Sequence, residues 1–266
     1  MREAVRLYFR LLGISVRGQM QYQASFWLQI FGHMLATGIE FLGVGALFAR
    51  FGTLRGWTLP EVALFYGMVN IAFALAEGIG RGFDTFPNLV KRGDFDRLLL
   101  RPHSTALQVA GQDLQLMRLG RLLQGLGVLL WAMIALRIAW SPARALLLLF
   151  AIFGGACLFY GLFVLQATLA FWTIESLEIM NTVTYGGMET AQYPMTIYAP
   201  WFRRFFTFVV PLICISTLPA EALLGRNDLH SAPMLLALAP LVGVLFLLVA
   251  LRIWKIGVRH YTSTGS

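Results

Sequence analysis

Long apolar runs separated by short charged segments are the feature of this sequence that most limits its fold. Several runs exceed the roughly 20 residues that a helix needs to cross about 30 Å of hydrocarbon. They do not alternate as the strands of a membrane barrel do. Of the 266 residues, 58% are apolar and only 13% are charged, whereas roughly a quarter are charged in soluble domains. The sequence therefore predicts an all-α integral membrane protein that forms a single membrane domain, residues 1–266.

Six membrane spans can be drawn on these runs. The first, second, fourth and sixth cover about residues 24–48, 60–79, 145–172 and 234–254, and the third has its apolar part at 125–140. The remaining span, the fifth, is open on hydropathy alone. A semi-polar segment that carries Glu175, Glu178 and Glu189 competes with the apolar segment 205–224, which Pro211 and Pro219 break. Carboxylates can cross a membrane where they face protein or water, and a proline-broken segment suits a pair of re-entrant half-helices.

The first 22 residues predict an amphipathic helix on the membrane surface. Arg2, Arg6, Arg10 and Arg17 fall on one side at helical spacing, and bulky apolar residues occupy the other. Such a helix lies along the membrane, where arginine meets anionic headgroups. No cleavable signal peptide is evident, because the first apolar run begins near Ala24 and is too long for one. We therefore expect a cytoplasmic N-terminus.

The distribution of basic residues supports this orientation. The net charge of +8 arises from 21 Lys and Arg residues, and most of them flank the apolar runs on the side of the N-terminus. That pattern is typical of membrane topology and not of a nucleic-acid surface. We expect both termini and the loop 81–104 in the cytoplasm, with lipid and no nucleic acid as surroundings.

The loop 81–104 is the one long charged, turn-punctuated segment between two apolar runs. Its apolar side chains share a face at helical spacing until Gly93 breaks the helix. With charged residues around them, they form a surface able to enter a groove of another protein. The alternative is a juxtamembrane helix that lies on lipid. The residues to which we assign the protein contact are Phe83, Asp84, Phe86, Val90 and Arg92.

The sequence offers no catalytic machinery. It has no G-x-x-x-x-G-K-[ST] loop, so it cannot bind and hydrolyse ATP by that route. Its four histidines are scattered, and Cys157 and Cys214 lie in separate apolar runs without metal-ligand spacing. We predict no catalytic residue, metal ligand or cofactor in this chain. Energy for any transport would come from a partner or from a gradient.

Ionisable residues inside the membrane are costly and need an explanation. Arg81 follows Glu77 by four residues and can pair with it. Glu40 has no such neighbour, which leaves a structural hydrogen bond to another helix or a place in a polar translocation path. A structural hydrogen bond is the first expectation for Asn70 as well. The candidate residues of a translocation path are Glu40, Asn70 and Glu189.

Three motifs resemble the permease subunits of type-2 ABC exporters, in their six-helix bacterial branch. They are the string G-x-F-D-x-L-L-L-R-P at 93–102, a Tyr-Pro pair at 193–194, and F-V-V-P followed by L-P-A at 208–220. The resemblance extends over nearly the whole chain. The motif residues are Gly93, Asp96, Leu99, Arg101, Pro102, Tyr193, Pro194, Pro211 and Pro219.

This resemblance implies a partner and a mechanism. In that family the N-terminal helix and the loop between spans two and three contact a separate ATPase, which binds ATP and Mg. Two ATPases and two permeases, identical or homologous, form the working exporter in the bacterial cytoplasmic membrane. The family also places re-entrant helices before the last span, which favours 174–193 as the fifth span and 195–224 as re-entrant.

A gradient-driven secondary transporter that uses intramembrane carboxylates is the alternative function. It predicts inverted repeats, and the sequence contains none that is convincing. A membrane-embedded lipid enzyme would need clustered polar catalytic residues, which the sequence also lacks. The apolar spans favour a hydrophobic or amphipathic substrate without identifying it.

Overall fold

The computed structural model describes residue 13 and residues 16–113, 115–173, 177–226 and 233–262. The surface helix predicted for residues 1–22 lies mostly outside these described residues. Three short 3₁₀ turns accompany the α-helices, at Leu116–Arg118, Met195–Ile197 and Leu212–Cys214. The α-helices of the described residues are α1 (Gln23–Phe51), α2 (Leu59–Asp84), α3 (Phe86–Lys91), α4 (Phe95–Leu99), α5 (Thr105–Ala110), α6 (Leu119–Ala135), α7 (Pro142–Leu169), α8 (Leu177–Ala191), α9 (Pro200–Phe208), α10 (Thr217–Leu224), α11 (Pro233–Leu238) and α12 (Leu241–His260).

The predicted all-α membrane fold is confirmed. Helices α1, α2, α7 and α12, and α6 together with the turn Leu116–Arg118 before it, are long and apolar enough to cross a membrane, and the described residues contain no β-strand. Helix α2 lies at the centre, with α6 on one side and α7 on the other. Helix α1 packs on α6, and α12 packs on α7. The bundle therefore has α1 and α12 at its two edges.

Two of the predicted spans are shifted along the chain. The third occupies Leu116–Ala135, so that it ends five residues before the predicted end of its apolar part at 140, because Arg137 leaves the helical region with a φ of 48°. Its start carries Arg118 and Arg121, which are neutralised inside the protein. The last occupies Leu241–His260 and not 234–254, because Pro240 separates it from α11. Hydropathy alone locates neither boundary.

The two ends of the bundle are distinguished by what they contact. At one end, here called the loop end, α3 to α5 meet the residues that follow α7 and the last turns of α12, through Phe171 and Trp254. At the other, here called the far end, Trp57 precedes α2 and donates a hydrogen bond from Nε1 to Thr196 Oγ1 at 3.2 Å. Helix α8 starts near the loop end and stops shortly before Thr196. It therefore runs in the direction that a fifth span at 174–193 requires.

The segment from Met195 to Arg226 enters and leaves the bundle at the far end. At its start, Thr196 accepts the hydrogen bond from Trp57, and at its end, Arg226 lies 2.8 Å from Glu61 and stacks over the Trp57 ring. Between these points, α9 and the residues Leu212–Leu224 meet at a bend of 76°. Both ends of the segment thus lie at the far end, and the bend fits a broken span as well as the re-entrant arrangement that the sequence favours for 195–224.

Close crossing of α7 and α12 depends on two glycines. A Cβ at Gly243 would collide with the carbonyl oxygen of Gly154, and a Cβ at Gly154 would collide with that of Pro240. Small residues let helix backbones approach each other inside a membrane, where packing and not hydrophobicity holds helices together. The last span is therefore fixed on α7 near the middle of the bundle.

Candidate functional site

An aromatic cluster fastens the loop 81–104 to the loop end of the bundle. We call it the aromatic anchor; it consists of Phe83, Phe86, Phe95, Phe171, Trp254 and Tyr261. The Phe86 ring centroid lies 4.8 Å from that of Trp254 and 5.0 Å from that of Phe95. The edge-to-face arrangement of these rings is favourable beyond the burial of their surface. The loop therefore rests on the ends of α2, α7 and α12.

The apolar face of the loop that is predicted to contact a protein is not exposed. Phe83 and Phe86 are fully buried within this chain, and Val90 is 4% exposed. The amphipathic pattern does mark a helix with an apolar face, but that face packs on the chain's own bundle. If these residues act in coupling, they do so by holding the loop and not by touching a second protein.

The surface that the loop does expose is basic. Lys91, Arg92 and Arg97 are exposed between the ends of α3 and α4, and Arg97 has only a loose ion pair with Asp94, at 3.4 Å. Leu100 is 87% exposed. We call this surface the basic face; its exposed residues are Asn88, Lys91, Arg92, Arg97, Leu99, Leu100, Arg101 and Pro102.

Several motif residues shape the loop. Gly93 has a φ of 70°, a left-handed conformation that favours glycine and ends α3. The Asp96 carboxylate faces the Tyr261 hydroxyl, which lies beyond the end of α12. Burial, and then this carboxylate, raise the pKa of Tyr261. Leu99, Arg101 and Pro102 are exposed, so these side chains are accessible to a partner protein.

The far-end motif residues lie in, or directly before, the broken segment 195–224. Pro194 precedes the turn Met195–Ile197, and Pro211 separates α9 from the turn Leu212–Cys214. Pro219 lies in the first turn of α10, where a proline costs no hydrogen bond. Tyr193 packs at the edge of a cluster that contains Trp57. These residues thus shape the backbone of the far end.

A polar network continues from the loop into the bundle. Gln166 on α7 donates hydrogen bonds from Nε2 to Asp84 Oδ1 at 3.1 Å and to Asn181 Oδ1 on α8 at 2.9 Å. Asp84 also pairs with Arg81 on its own helix. One polar group at the base of the loop is therefore joined to both α7 and α8.

The second part of the network surrounds Glu77. Its carboxylate lies 2.8 Å from Arg118 and 3.9 Å from Arg121, and the Tyr185 hydroxyl donates to it at 3.2 Å. The predicted pair of Glu77 with Arg81 is wrong, because Arg81 turns to Asp84. The sequence signal that was missed is the spacing of Arg118 and Arg121, which places two cations on one face at the start of α6.

The three candidate path residues occupy one region but different environments. Asn70 is fully buried, and its amide donates to the Tyr66 carbonyl of its own helix at 2.9 Å. Glu40 and Glu189 are exposed on the single chain. Glu40 lies near Tyr66, Tyr66 near Tyr193, and Tyr193 near Glu189. The structural expectation for Asn70 fits its hydrogen bond, whereas Glu40 and Glu189 mark a polar strip beside α1 and α8.

These features define a class of protein. A bundle of long apolar helices, a surface loop anchored on three of them and a charged network that leads from the loop into the bundle are the features of a multi-pass membrane protein.

The family follows from comparison. A family model described as ABC-2 family transporter protein matches residues 34–265, and the chain belongs to this family. It is a permease of an ABC transporter, a multi-pass membrane subunit whose family implies an ABC ATPase as partner. No curated protein and no solved structure matches the chain.

Proposed function

We propose that this chain is the permease subunit of an ATP-driven exporter of the bacterial cytoplasmic membrane, and that the loop 81–104 transmits the movement of two ATPase subunits to it. ATP and Mg bind in those subunits. The observation that carries the proposal is the aromatic anchor, because it joins one exposed surface to the ends of α2, α7 and α12. A movement of the ATPase against the basic face is therefore transmitted through these buried rings to α2, α7 and α12.

The basic face supplies the contact in this proposal. Lys91, Arg92 and Arg101 are exposed beside Leu99 and Leu100, which gives a mixed basic and apolar surface of the kind that recognises an acidic, apolar groove. Asp84 lies at its base and leads through Gln166 to α7 and α8. The basic face that contacts the ATPase is therefore continuous with the hydrogen-bond network that leads into the bundle.

The translocation path is proposed at the interface with a second permease, identical or homologous. Helix α1 exposes a long apolar side that includes Trp27, Phe31 and Leu42, and Glu40 and Glu189 form the polar strip beside it. A second permease that covered this side would enclose the strip. Carboxylates inside a membrane normally face protein or a water-filled cavity, which such an interface would provide.

The test uses the tagged full-length chain, purified from membranes of the source organism with its bound ATPase. We expect Mg-ATP hydrolysis in the purified complex and loss of the ATPase from the variant K91E/R92E. The matched control is R137E/R144E, which makes the same charge change at the far end and should retain the ATPase. Complete retention of the ATPase by the loop variant would contradict the assigned contact.

A second measurement separates contact from transmission. Asp84→Asn keeps the basic face intact and alters the link to Gln166. We expect this variant to retain the ATPase and to hydrolyse ATP while export of the substrate, or of a fluorescent amphipathic dye, falls severalfold. Normal export by Asp84→Asn would show that force does not pass through this network.

A further inference from the structure

A large cavity lies at the loop end, between α5, α7 and α12. Its volume is about 490 Å³, within the range of about 300–1,000 Å³ that is usual for small-molecule sites. Its walls are mostly apolar: Phe83 and Trp254 of the aromatic anchor, Ala106 and Leu107 of α5, and Leu248 of α12 contribute to them. The translocation path proposed above lies elsewhere, beside α1 and α8.

The rim of the cavity is basic. Arg252 and Lys255 line the cavity, and with Arg259 they also line an adjoining recess of about 420 Å³. Their spacing of three and four residues places all three on one face of α12. Neither lining contains an acidic residue, and no salt bridge to these three cations occurs within the described parts of the chain.

The cavity opens beside an exposed apolar surface of α12. Leu248 is 54% exposed, and Leu245, Val249 and Ile256 on the same helix are exposed too. Helix α12 is at the edge of the bundle and packs mainly on α7. In the predicted orientation its basic last turns lie at the cytoplasmic leaflet, where the anionic headgroups of a membrane concentrate.

We propose that this cavity binds an anionic phospholipid of the cytoplasmic leaflet. One acyl chain enters between α5, α7 and α12 and contacts Phe83 and Trp254. The phosphate lies against Arg252 and Lys255, and Arg259 interacts with the outer part of the headgroup. The occupant is argued from charge complementarity and from position, because an apolar cavity below a rim of cations matches an acyl chain below an anionic headgroup.

Such a lipid would touch the aromatic anchor directly. Trp254 donates a hydrogen bond from Nε1 to Thr105 Oγ1 at 3.1 Å, which holds α5 against α12 beside the cavity. Filling the cavity would tighten this junction, and emptying it would leave a void behind the loop. The site therefore links the lipid composition to the rigidity of the loop 81–104.

The test measures lipid binding to the purified, delipidated full-length chain by native mass spectrometry. The probes are 1-palmitoyl-2-oleoyl phosphatidylglycerol and the phosphatidylcholine with the same acyl chains. We expect the wild type to prefer phosphatidylglycerol by tenfold or more and R252Q/K255Q to lose most of that preference, since each basic residue near an anionic surface contributes roughly a fivefold change in affinity. R97Q/R101Q removes the same charge from the basic face and should keep the preference.

A second variant tests the acyl chain. Ala106→Phe should fill part of the cavity and weaken binding of both lipids by about tenfold while the cations remain; an unchanged unfolding temperature would verify that the protein is folded. Several outcomes would overturn the proposal: equal binding of the two lipids by the wild type, equal losses in R252Q/K255Q and R97Q/R101Q, or competition by millimolar inorganic phosphate that abolishes binding completely. The proposal would also be wrong if R2Q/R6Q, and not R252Q/K255Q, removed the preference, because the headgroup would then bind the N-terminal segment.

Discussion

The carboxylate of Glu77 in α2 lies 2.8 Å from a guanidinium nitrogen of Arg118, at the start of α6. Glu77 is 2% exposed, and Arg121 approaches its other oxygen at 3.9 Å. Two cations and one anion are thus held between helices at the loop-end side of the bundle, with Tyr185 of α8 as a further hydrogen-bond donor. The group joins three helices through one carboxylate.

Removing the Glu77 charge should strongly destabilise the protein. Glu77→Gln leaves two mostly buried guanidinium groups without a counter-charge, a loss that typically costs about 3–5 kcal/mol. The free energy of unfolding can be measured by denaturant titration in detergent micelles. Glu61→Gln is the matched control, because Glu61 pairs with Arg226 at a more exposed position and glutamine preserves the capping of α2. It should cost about 1 kcal/mol or less. Equal losses in the two variants would contradict a buried role for Glu77.

Truncating Phe86 should release the loop. Phe86→Ala removes a fully buried ring from contact with Phe95, Phe171 and Trp254, and truncations of this kind cost about 3–5 kcal/mol. We expect faster trypsin cleavage after Lys91 and Arg92 together with lower stability. Leu100→Ala, at a position that is 87% exposed, should change stability by about 0.5 kcal/mol or less. If the loop of Phe86→Ala resisted trypsin as the wild type does, the aromatic anchor would not be what holds it.

Two glycines of α2 should respond to alanine with opposite signs. A Cβ at Gly82 would collide with the carbonyl oxygen of Val109 in α5, whereas a Cβ at Gly78 meets nothing within 4 Å. Alanine is favoured over glycine in a helix interior by about 0.5–1 kcal/mol. Gly78→Ala should therefore raise the unfolding temperature. Gly82→Ala should lower it, because α5 must move away from α2, and it should also weaken the coupling of ATP hydrolysis to export. A stabilising Gly82→Ala would show that α5 adjusts without strain.

The sequence was sufficient for the features that depend on hydropathy and local geometry. Long apolar runs predicted the helical membrane fold, Pro211 and Pro219 indicated a broken segment, and Gly93 indicated the end of a helix. It was insufficient where a partner comes from another helix. Local spacing assigned Arg81 to Glu77, but the structure pairs Glu77 with Arg118, which is distant along the chain and adjacent in space.

The exposed surface of the loop was missed for a related reason. An amphipathic pattern shows that a helix has an apolar face, but it does not show what that face packs against. Phe86 packs on Trp254, near the other end of the chain, and no local pattern predicts that contact. The basic residues that follow Phe86 along the loop, which the sequence suggests as the rim of an interface, are the part of the loop that is exposed.

The direction of the re-entrant segment can be tested by cysteine labelling in intact cells and in inverted vesicles. The background variant carries Cys157→Ala and Cys214→Ala. Leu100→Cys reports the loop end, and Thr53→Cys reports the far end; both positions are exposed.

Arg204→Cys is decisive, because Arg204 is exposed on α9. A re-entrant 195–224 puts it on the side of Thr53, whereas a fifth span at 205–224 puts it on the side of Leu100. We expect a membrane-impermeant maleimide to label Arg204→Cys and Thr53→Cys in cells, and Leu100→Cys only in inverted vesicles. Labelling of Arg204→Cys together with Leu100→Cys would make 205–224 a true span. It would then leave α8, with its polar strip and its link to Gln166, outside the membrane.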